Sequence, residues 1–332
     1  MTQTITRNQV IEKIGNTPLI ELSSFSTDNI KLFAKLEWQN PFGSVKDRAA
    51  FWMIKDAESK GRITKDKSII IEPTSGNTGI ALTGISSSLG YKVEIVIPEK
   101  VSAETKSILK KLGAIIHETS DDLCPRVGSG TDQSIALAKA ISTPRPDIYY
   151  MPNQYENDAN FMAHYDTTGP ELWYQTNGKI THFLTGCGTG GTITGTGVYL
   201  KEKNPTIKVV AIQAQRNHLL QGLRNFEESS MPDLFQRRES VVDEWFTATN
   251  KDSFTMVKEL ANKENILVGP SSGSVMSAML ETRNKIKKGI IVGIFADDGR
   301  KFKSLYKEQN VFTAEEYDKT LHNAKYLSEL LY

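Results

Sequence analysis

The sequence predicts an α/β protein made of two parallel sheets, each covered on both faces by helices. Short runs rich in β-branched apolar residues alternate with helical stretches, and turns rich in glycine, serine or threonine follow most of these runs. Strands of such continuous apolar character are typical of parallel sheets buried on both faces. With 332 residues, of which 39% are hydrophobic and 24% charged, the chain has the length and composition of two globular domains.

Six apolar runs are the predicted strands, and their order sets the organisation of the chain. They are Leu32–Leu36, Ser68–Ile71, Val93–Ile97, Ile180–Leu184, Lys208–Ile212 and Ile290–Phe295. A polar, proline-containing stretch at 142–160 separates the first three strands from the last three and is the predicted boundary between two units. In parallel sheets the loops that follow the strands gather at one edge, and we expect ligands to bind there.

Net charge and the length of the apolar runs argue against several classes of partner. Lysine and arginine together number 40 and aspartate and glutamate 39, so no excess of positive charge favours nucleic acid or anionic lipid. The longest apolar runs, such as residues 289–296, are far shorter than the roughly 20 residues that span a bilayer. The first residues lack the continuous apolar stretch of a secretory signal, so we expect a cytoplasmic protein with neither nucleic-acid nor membrane partners.

Cysteine and histidine are too few and too scattered to predict a disulfide framework or a metal site. Cys124 and Cys187 form no CxxC pair, and the five histidines lack the spacing of metal ligands. We therefore expect no metal, and we interpret Cys187 as a packing residue.

The first loop whose residues could take part in chemistry runs from Asn40 to Arg48. Ser44 followed by Asp47 resembles a capping box, which would place Lys46 in the first turn of a helix. The positive end of the helix dipole disfavours an ammonium there and favours the neutral amine or imine of a Schiff-base lysine. A surface lysine at an ordinary helix start is the alternative interpretation.

The second and third loops each combine glycines with small polar residues at a predicted helix start. Residues 72–79 read EPTSGNTG and predict a seat of backbone donors for a carboxylate, the alternative being a polar turn with a Thr or Asn cap. Residues 186–192 read GCGTGGT, a backbone that can approach a phosphate closely. They also match the dinucleotide pattern G-x-G-x-x-G, but the next strand ends near Gln213 where a ribose-binding acid is required. A smaller phosphate ligand is therefore favoured over a nicotinamide.

Five motifs occur in the same order and with similar spacing as in a known enzyme family. They are GNTPL at 15–19, PFGSVKDR at 41–48, EPTSGNTG at 72–79, GCGTGGT at 186–192 and GPSSG at 269–273. Over the stretch from about Asn16 to about Tyr306, the chain resembles the cysteine synthase and cystathionine β-synthase family. The resemblance implies pyridoxal 5'-phosphate as cofactor, fold type II (the tryptophan synthase β-like fold) and a homodimer.

The resemblance also implies a division of the chain into domains. Residues 46–150 would form a smaller, mobile α/β domain that carries the substrate-carboxylate loop. Residues 1–45 and 151–305 would form a larger cofactor-binding domain. Residues 306–332 would be a helical tail, either a lid over the active site or a helix packed on the outside or on a partner subunit.

By the same resemblance, Lys46 is the catalytic residue, which links to the cofactor and moves the Cα proton. The positions that match cofactor-binding residues of the family are Lys46, Asn77, Gly188, Thr189, Gly190, Gly191, Thr192 and Ser271. The positions that match substrate-binding residues are Thr74, Ser75, Gly76, Thr78 and Gln154. A neutral hydroxyl at Ser271, facing the pyridine nitrogen, favours elimination of a β-substituent over reactions that need a long-lived carbanion.

The segment 215–226 addresses the choice of substrate. It contains Leu223-Arg224-Asn225 and resembles the branch of the family that accepts O-phosphoserine, in which this arginine binds the substrate phosphate. A guanidinium can form paired, charge-assisted hydrogen bonds with a phosphate. An uncharged acetyl group cannot form such a pair. A surface ion pair of Arg224 or Arg216 is the alternative.

The resemblance therefore implies synthesis of L-cysteine from O-phosphoserine and a sulfur donor, through an aminoacrylate intermediate. O-acetylserine sulfhydrylase and cystathionine β-synthase are the alternatives within the family, and a non-catalytic binding protein is the alternative from a different class. Sulfide, a protein thiocarboxylate and homocysteine are all compatible sulfur donors at this point.

Overall fold

The computed structural model describes residues 10–74, 76–120 and 133–327. Two sheets organise this part of the chain. The larger has six strands in the order β1-β2-β10-β7-β8-β9, and the smaller has four in the order β5-β4-β3-β6. Neighbouring strands run parallel, except for β1, which pairs antiparallel with β2.

The strands of the larger sheet are β1 Leu19–Glu21, β2 Ile30–Leu36, β7 His182–Gly186, β8 Lys208–Ala214, β9 Glu244–Ala248 and β10 Gly289–Phe295. Those of the smaller sheet are β3 Ile69–Pro73, β4 Lys92–Pro98, β5 Ile115–Thr119 and β6 Tyr149–Tyr150. The α-helices are α1 Lys46–Ser59, α2 Asn77–Leu89, α3 Ala103–Leu112, α4 Gln133–Ser142, α5 Asp158–Ala163, α6 Gly169–Gln175, α7 Gly191–Lys203, α8 Asp233–Gln236, α9 Asn250–Glu264, α10 Pro270–Lys285, α11 Lys303–Glu308 and α12 Ala314–Asn323.

Both sheets are covered on both faces, because successive side chains of a strand point to opposite sides. In β10, Ile291 and Phe295 belong to a core shared with α9 and α10, whereas Val292 and Ile294 belong to a core shared with α6 and α7. In the smaller sheet, Ile70 and Ile95 pack against α1, α2 and α3, whereas Ile71 and Val96 pack against α4. These layers confirm the predicted fold class, an α/β protein with parallel sheets.

All six predicted strands are present, and they are the interior strands of the two sheets. The four strands that the sequence analysis missed, β1, β5, β6 and β9, are the edge strands. The strands of the smaller sheet fall within 46–150 and those of the larger sheet lie outside it. The domain boundaries and the mobility of the smaller domain stay predictions.

The described part of the C-terminal tail packs on the larger sheet's core. Phe312 and Tyr317 are buried in the cluster that also contains α9 and α10. The Trp38 indole Nε1 donates to the backbone oxygen of Tyr326 at 2.7 Å. No residue of 306–327 lines the cavity described below, so a lid remains a prediction that concerns residues 328–332, outside the described part of the chain.

Over residues 10–74, 76–120 and 133–327, none of the helices combines the length and the apolar character needed to cross a bilayer.

Candidate active site

A cavity opens where the carboxyl ends of strands from both sheets meet. The space between its atoms, including the open mouth, is about 1050 Å³. Of the residues singled out from the sequence, those that line it are Lys46, Thr74, Gly76, Asn77, Thr78, Gln154, Gly188, Thr189, Gly190, Thr192, Arg224 and Ser271. Residues up to 225 positions apart in the chain therefore share one site at the predicted sheet edge.

Gly191 is the one described residue of the prediction that is not part of this lining. Gly191 is turned toward α5, where a Cβ at this position would lie 2.1 Å from Asn160 Oδ1. Its glycine is therefore required by packing. Ser75 lies outside the described residues.

Lys46 is the first residue of α1, and its half-buried amine forms no hydrogen bond or ion pair with any described residue. Burial lowers the pKa of Lys46, and it outweighs Asp297 and Glu37, which raise it. The neutral amine that imine formation requires is therefore favoured. Loss of hydration is the main cause, whereas the sequence argument relied on the helix dipole.

The predicted capping box at this helix start is not formed. The N-cap residue is Val45, and the Ser44 hydroxyl accepts a hydrogen bond from the Lys46 backbone N–H at 3.2 Å. The Asp47 carboxylate turns back to the Phe42 N–H, 2.5 Å away. This contact across five residues tightens the turn before α1, so Asp47 cannot reach the N-cap backbone as a capping box requires.

Asn77 is the first residue of α2, lines the same cavity as Lys46, and contacts a buried ion pair. Its side-chain Nδ2 donates to Asp297 Oδ2 at 2.7 Å, and its Oδ1 accepts from Lys301 Nζ. Lys301 and Asp297 are themselves 3.4 Å apart and both are buried. The two charges set the orientation of the amide, and the second hydrogen of Nδ2 is left for a ligand in the cavity.

The predicted carboxylate site combines the loop after β3 with the segment after β6. The Thr78 hydroxyl donates to Gln154 Oε1 at 2.7 Å, and the Gly76 N–H donates to Thr74 Oγ1 at 3.2 Å. Both contacts join residues that only the family resemblance had assigned to the same substrate-binding site. The site offers hydroxyl, amide and backbone donors, which suits a carboxylate.

The glycine-rich loop at 186–192 ends at the start of α7. Its N-cap is Gly190, with φ of 88°, and no side chain caps the helix. Glycine is required here for packing as well, since a Cβ at Gly190 would lie 2.3 Å from Phe235 Cβ and one at Gly188 would lie 2.7 Å from the Gly222 oxygen. The uncapped amides and the helix dipole are suited to binding an anion at this end of the cavity.

Two polar side chains from outside this loop, Asn160 and His164, hold it in place. Asn160 Nδ2 donates to Thr189 Oγ1 at 2.9 Å, and Thr192 Oγ1 is 3.2 Å from His164 Nε2. Burial holds the pKa of His164 well below its usual value, so the ring is neutral at pH 7. Beside the loop, burial raises the pKa of the Cys187 thiol to about 12, which makes the thiol unreactive.

Ser271 lies in the first turn of α10, opposite the glycine-rich loop. Ser271 is 7% exposed and lines the cavity, and its hydroxyl forms no hydrogen bond in the described part of the chain. It is therefore available to a polar atom of a ligand.

Arg224 and Arg216, the two arginines that the sequence left as alternatives, have different surroundings. Arg216 is exposed and pairs with Glu227 at 2.7 Å. Arg224 lines the cavity, stacks on the Tyr155 ring at 4.8 Å from its centroid, and forms no ion pair with a carboxylate of the described residues. One guanidinium N–H donates to the Ser230 backbone oxygen at 3.3 Å. The surface ion pair thus belongs to Arg216, and the charge of Arg224 faces the cavity.

Several residues of the site were missed in the sequence analysis. Tyr155, Gln221 and Leu223 line the cavity, and Asp297 and Lys301 support Asn77. Asp297 lies two residues after the predicted strand Ile290–Phe295, so the rule that loops after parallel strands carry ligands could have indicated it. The others have no local signal.

The described residues contain no group of three or more His, Cys, Asp or Glu side chains placed to hold a metal ion. The chemistry of the cavity is instead that of an amine without a partner, an uncapped helix start and a free hydroxyl. An aldehyde for Lys46, a phosphate for α7 and a ring nitrogen for Ser271 would complement all three, and pyridoxal phosphate carries these groups together.

Comparison with known proteins agrees with that fit. The model of the family "Pyridoxal-phosphate dependent enzyme" matches residues 10–297. A cysteine synthase of Aquifex aeolicus is 41% identical over 89% of this chain and 90% of its own length, and an O-acetylserine dependent cystathionine beta-synthase of Bacillus subtilis is 37% identical over 90% and 97%.

A solved structure extends the likeness from sequence to fold. The O-acetylserine dependent cystathionine beta-synthase of Helicobacter pylori superposes with a TM-score of 0.81 at 32% identity, over 92% of this chain and 98% of that chain. Family, fold and cofactor chemistry thus agree: this chain belongs to the pyridoxal-phosphate-dependent cysteine synthase and cystathionine β-synthase family.

Proposed function

We propose that this protein makes L-cysteine by β-replacement on O-phosphoserine with a sulfur donor. The family supports a pyridoxal-phosphate-dependent cysteine synthase. The observation that supports O-phosphoserine is Arg224, whose guanidinium faces the cavity beside the Gln154–Tyr155 segment without a carboxylate partner.

Lys46 has the central role in this proposal. When bound, pyridoxal phosphate supplies an electron-accepting ring that makes the Cα proton of an amino acid removable. Lys46 Nζ is the group that links to the cofactor aldehyde, and its lowered pKa lets the free amine take the proton from Cα and return it. Asn77, Ser271 and the loop from Gly188 to Thr192 would hold the cofactor.

The other residues of the cavity position the amino acid. Thr74, Gly76, Thr78 and Gln154 would bind its carboxylate, as would Ser75 by resemblance. The Thr78–Gln154 hydrogen bond fixes the two side chains relative to each other before substrate arrives. With the carboxylate held there, the β-substituent would lie toward Arg224, whose planar cation is suited to a phosphate leaving group.

O-acetylserine is the second candidate substrate, because the Bacillus and Helicobacter relatives are described as O-acetylserine dependent. Because these relatives are cystathionine beta-synthases, homocysteine is a candidate sulfur donor, together with sulfide and a protein thiocarboxylate. A cytoplasmic location and a homodimer complete the proposal. Light scattering tests the latter, since a dimer has twice the 37.0 kDa mass of one chain.

Steady-state kinetics with both activated serines tests the choice of substrate. Arg224→Ala should lower kcat/KM for O-phosphoserine by about 10- to 100-fold, the effect of losing a charge-assisted hydrogen-bond pair. The value for O-acetylserine should stay within about twofold of wild type, because the acetyl group does not use the charge. Arg216→Ala is the matched control and should change neither. An equal loss with both substrates would contradict phosphate recognition by Arg224.

A further inference from the structure

Glu72 is a fully buried carboxylate on β3, two residues before Thr74. Its Oε2 accepts a hydrogen bond from the Asn153 backbone N–H at 2.9 Å, and its Oε1 accepts one from the Gln154 backbone N–H at 3.0 Å. It forms no ion pair with a lysine, arginine or histidine of the described residues. Two backbone amides, 81 and 82 residues away, are therefore the groups that hold this charge.

These two hydrogen bonds determine where Gln154 lies. Asn153 has a positive φ of 52°, a left-handed conformation that asparagine adopts readily, and it turns the chain just before Gln154. Gln154 is buried, and its Oε1 meets the Thr78 hydroxyl at the cavity wall. Glu72 thus ties the segment after β6 to the loop after β3, the two parts of the proposed carboxylate site.

Both bonds need an acceptor at each oxygen, and the ionised carboxylate provides two strong ones, whereas protonation places a hydrogen on one oxygen and weakens its bond. Burial raises the pKa of Glu72 to about 7, against the lowering effect of the two backbone N–H groups. Its register partner on β4 is the apolar Ile95. On β6, Tyr150 is a titratable neighbour whose pKa is raised by burial and by the charge of Glu72. Arg62 lowers the pKa of Tyr150 and Asp56 raises it.

We propose that Glu72 is a positioning residue whose protonation state controls binding of the substrate carboxylate. The ionised group holds Gln154 against Thr78, and the protonated group releases one of the two backbone amides and with it the Gln154 side chain. The assignment rests on the proposed function only in that Gln154 contacts the substrate.

The arrangement is not explained by stability. Because the pKa of Glu72 is about 7 in the folded protein against an ordinary value of 4.5, the folded state binds the proton more tightly. Ionisation of Glu72 therefore reduces the free energy of unfolding as the pH rises from about 4.5 through about 7. The hydrogen bonds from Asn153 and Gln154 are therefore the observation that connects Glu72 to the geometry of the site.

The test uses the holoenzyme and L-lactate, which has an α-carboxylate but no amine that could react with the cofactor. Lactate keeps a constant charge between pH 6 and pH 8. Calorimetric titration of wild type should give a dissociation constant about tenfold higher at pH 6 than at pH 8, because the binding-competent fraction changes by about that factor around a midpoint near 7.

Three variants separate this role from a general effect of burial. Glu72→Gln should bind lactate with the weak affinity of wild type at pH 6, at both pH values. Glu72→Asp keeps a titrating carboxylate and should retain a pH dependence. Glu94→Gln, which changes a buried acid of the same sheet that contacts His117 and Tyr149, should behave as wild type. Thermal unfolding and the visible absorbance of the cofactor establish that each variant is folded and loaded.

Two outcomes would overturn the inference: equal lactate affinity of wild type at pH 6 and pH 8, or a Glu72→Gln variant that keeps the wild-type pH dependence. Absence of lactate binding at both pH values would remove the carboxylate site and the inference together. The proposed function fails differently, as a wild-type holoenzyme that binds lactate with the expected pH dependence yet converts neither activated serine.

Discussion

Lys46 and Arg48 lie two residues apart on helix α1, yet they occupy opposite kinds of environment. Arg48 is fully buried, and its guanidinium bonds Glu37 at 2.7 Å and Glu171 at 2.6 Å. Lys35 joins the same cluster through Glu171. Lys46 opens to the cavity and has no partner among the described residues.

The pKa values of the two cations diverge accordingly. Burial alone would lower both, but Glu37 and Glu171 outweigh it at Arg48, whose pKa is raised. At Lys46 burial outweighs the more distant carboxylates, and the pKa is lowered. One helix turn therefore carries a permanently charged scaffold residue and a reactive amine. The difference is made by the partners each side chain meets and not by the helix that carries them.

Replacement of Lys46 should have the largest effect on activity. Lys46→Ala removes the amine that links to the cofactor and moves the Cα proton, so β-replacement should fall to the background rate and the absorbance band of lysine-linked cofactor should be absent. Denaturant unfolding should show a stability close to wild type, because no ion pair is lost. Retention of the band or of turnover would assign the chemistry to another group.

Replacement of Arg48 should have the largest effect on stability. Arg48→Met leaves Glu37 and part of Glu171 buried without their main cation, so the free energy of unfolding should fall by about 3–5 kcal/mol. Urea titration measures it, with Arg216→Ala as a surface-pair control expected to change stability by less than about 1 kcal/mol. A small effect at Arg48 would mean that the cluster is not the scaffold of this helix.

Replacement of Asp297, which supports Asn77, should have a smaller effect, on cofactor binding. Asp297→Asn removes the charge that pairs with Lys301 and orients the Asn77 amide, which should weaken cofactor binding about fivefold, the value of one hydrogen bond of about 1 kcal/mol. Absorbance titration of cofactor-free protein measures it. Asp298→Asn, next in sequence but paired with Arg300, is the control and should bind the cofactor as wild type does. Equal weakening in both variants would point to a general disturbance of the loop.

A comparison of interior and edge strands shows which strands the local sequence can predict. The six predicted strands are interior strands, whose long apolar runs follow from burial on both faces. The four missed strands are edge strands, such as β5 with its exposed Ile115 and polar His117, and β9 with its exposed Glu244 and Trp245. An edge strand is paired on one side only and needs less continuous apolar sequence.

The site divides in the same way. Lys46, the glycines at 188 and 190 and the helix starts they precede are local features, because a turn and the first helical amides lie within a few residues of each other. The supports of the site are not local. Asp297 reaches Asn77 across 220 residues and Glu72 reaches Gln154 across 82. No spacing rule relates positions so far apart.

By itself, the sequence determined the parallel α/β architecture, because apolar periodicity is set by neighbours in the chain. The reactive lysine at 46 and the anion-binding helix starts were inferred from motifs and from the resemblance, and they stay predictions. Only the tertiary structure decided which buried charges meet a partner. It paired Arg48 and Arg216 with acids, and it left Lys46 and Arg224 facing the cavity. Hydration lost on burial and charges brought close by folding determine what such groups can do, and both exist only once the two sheets have come together.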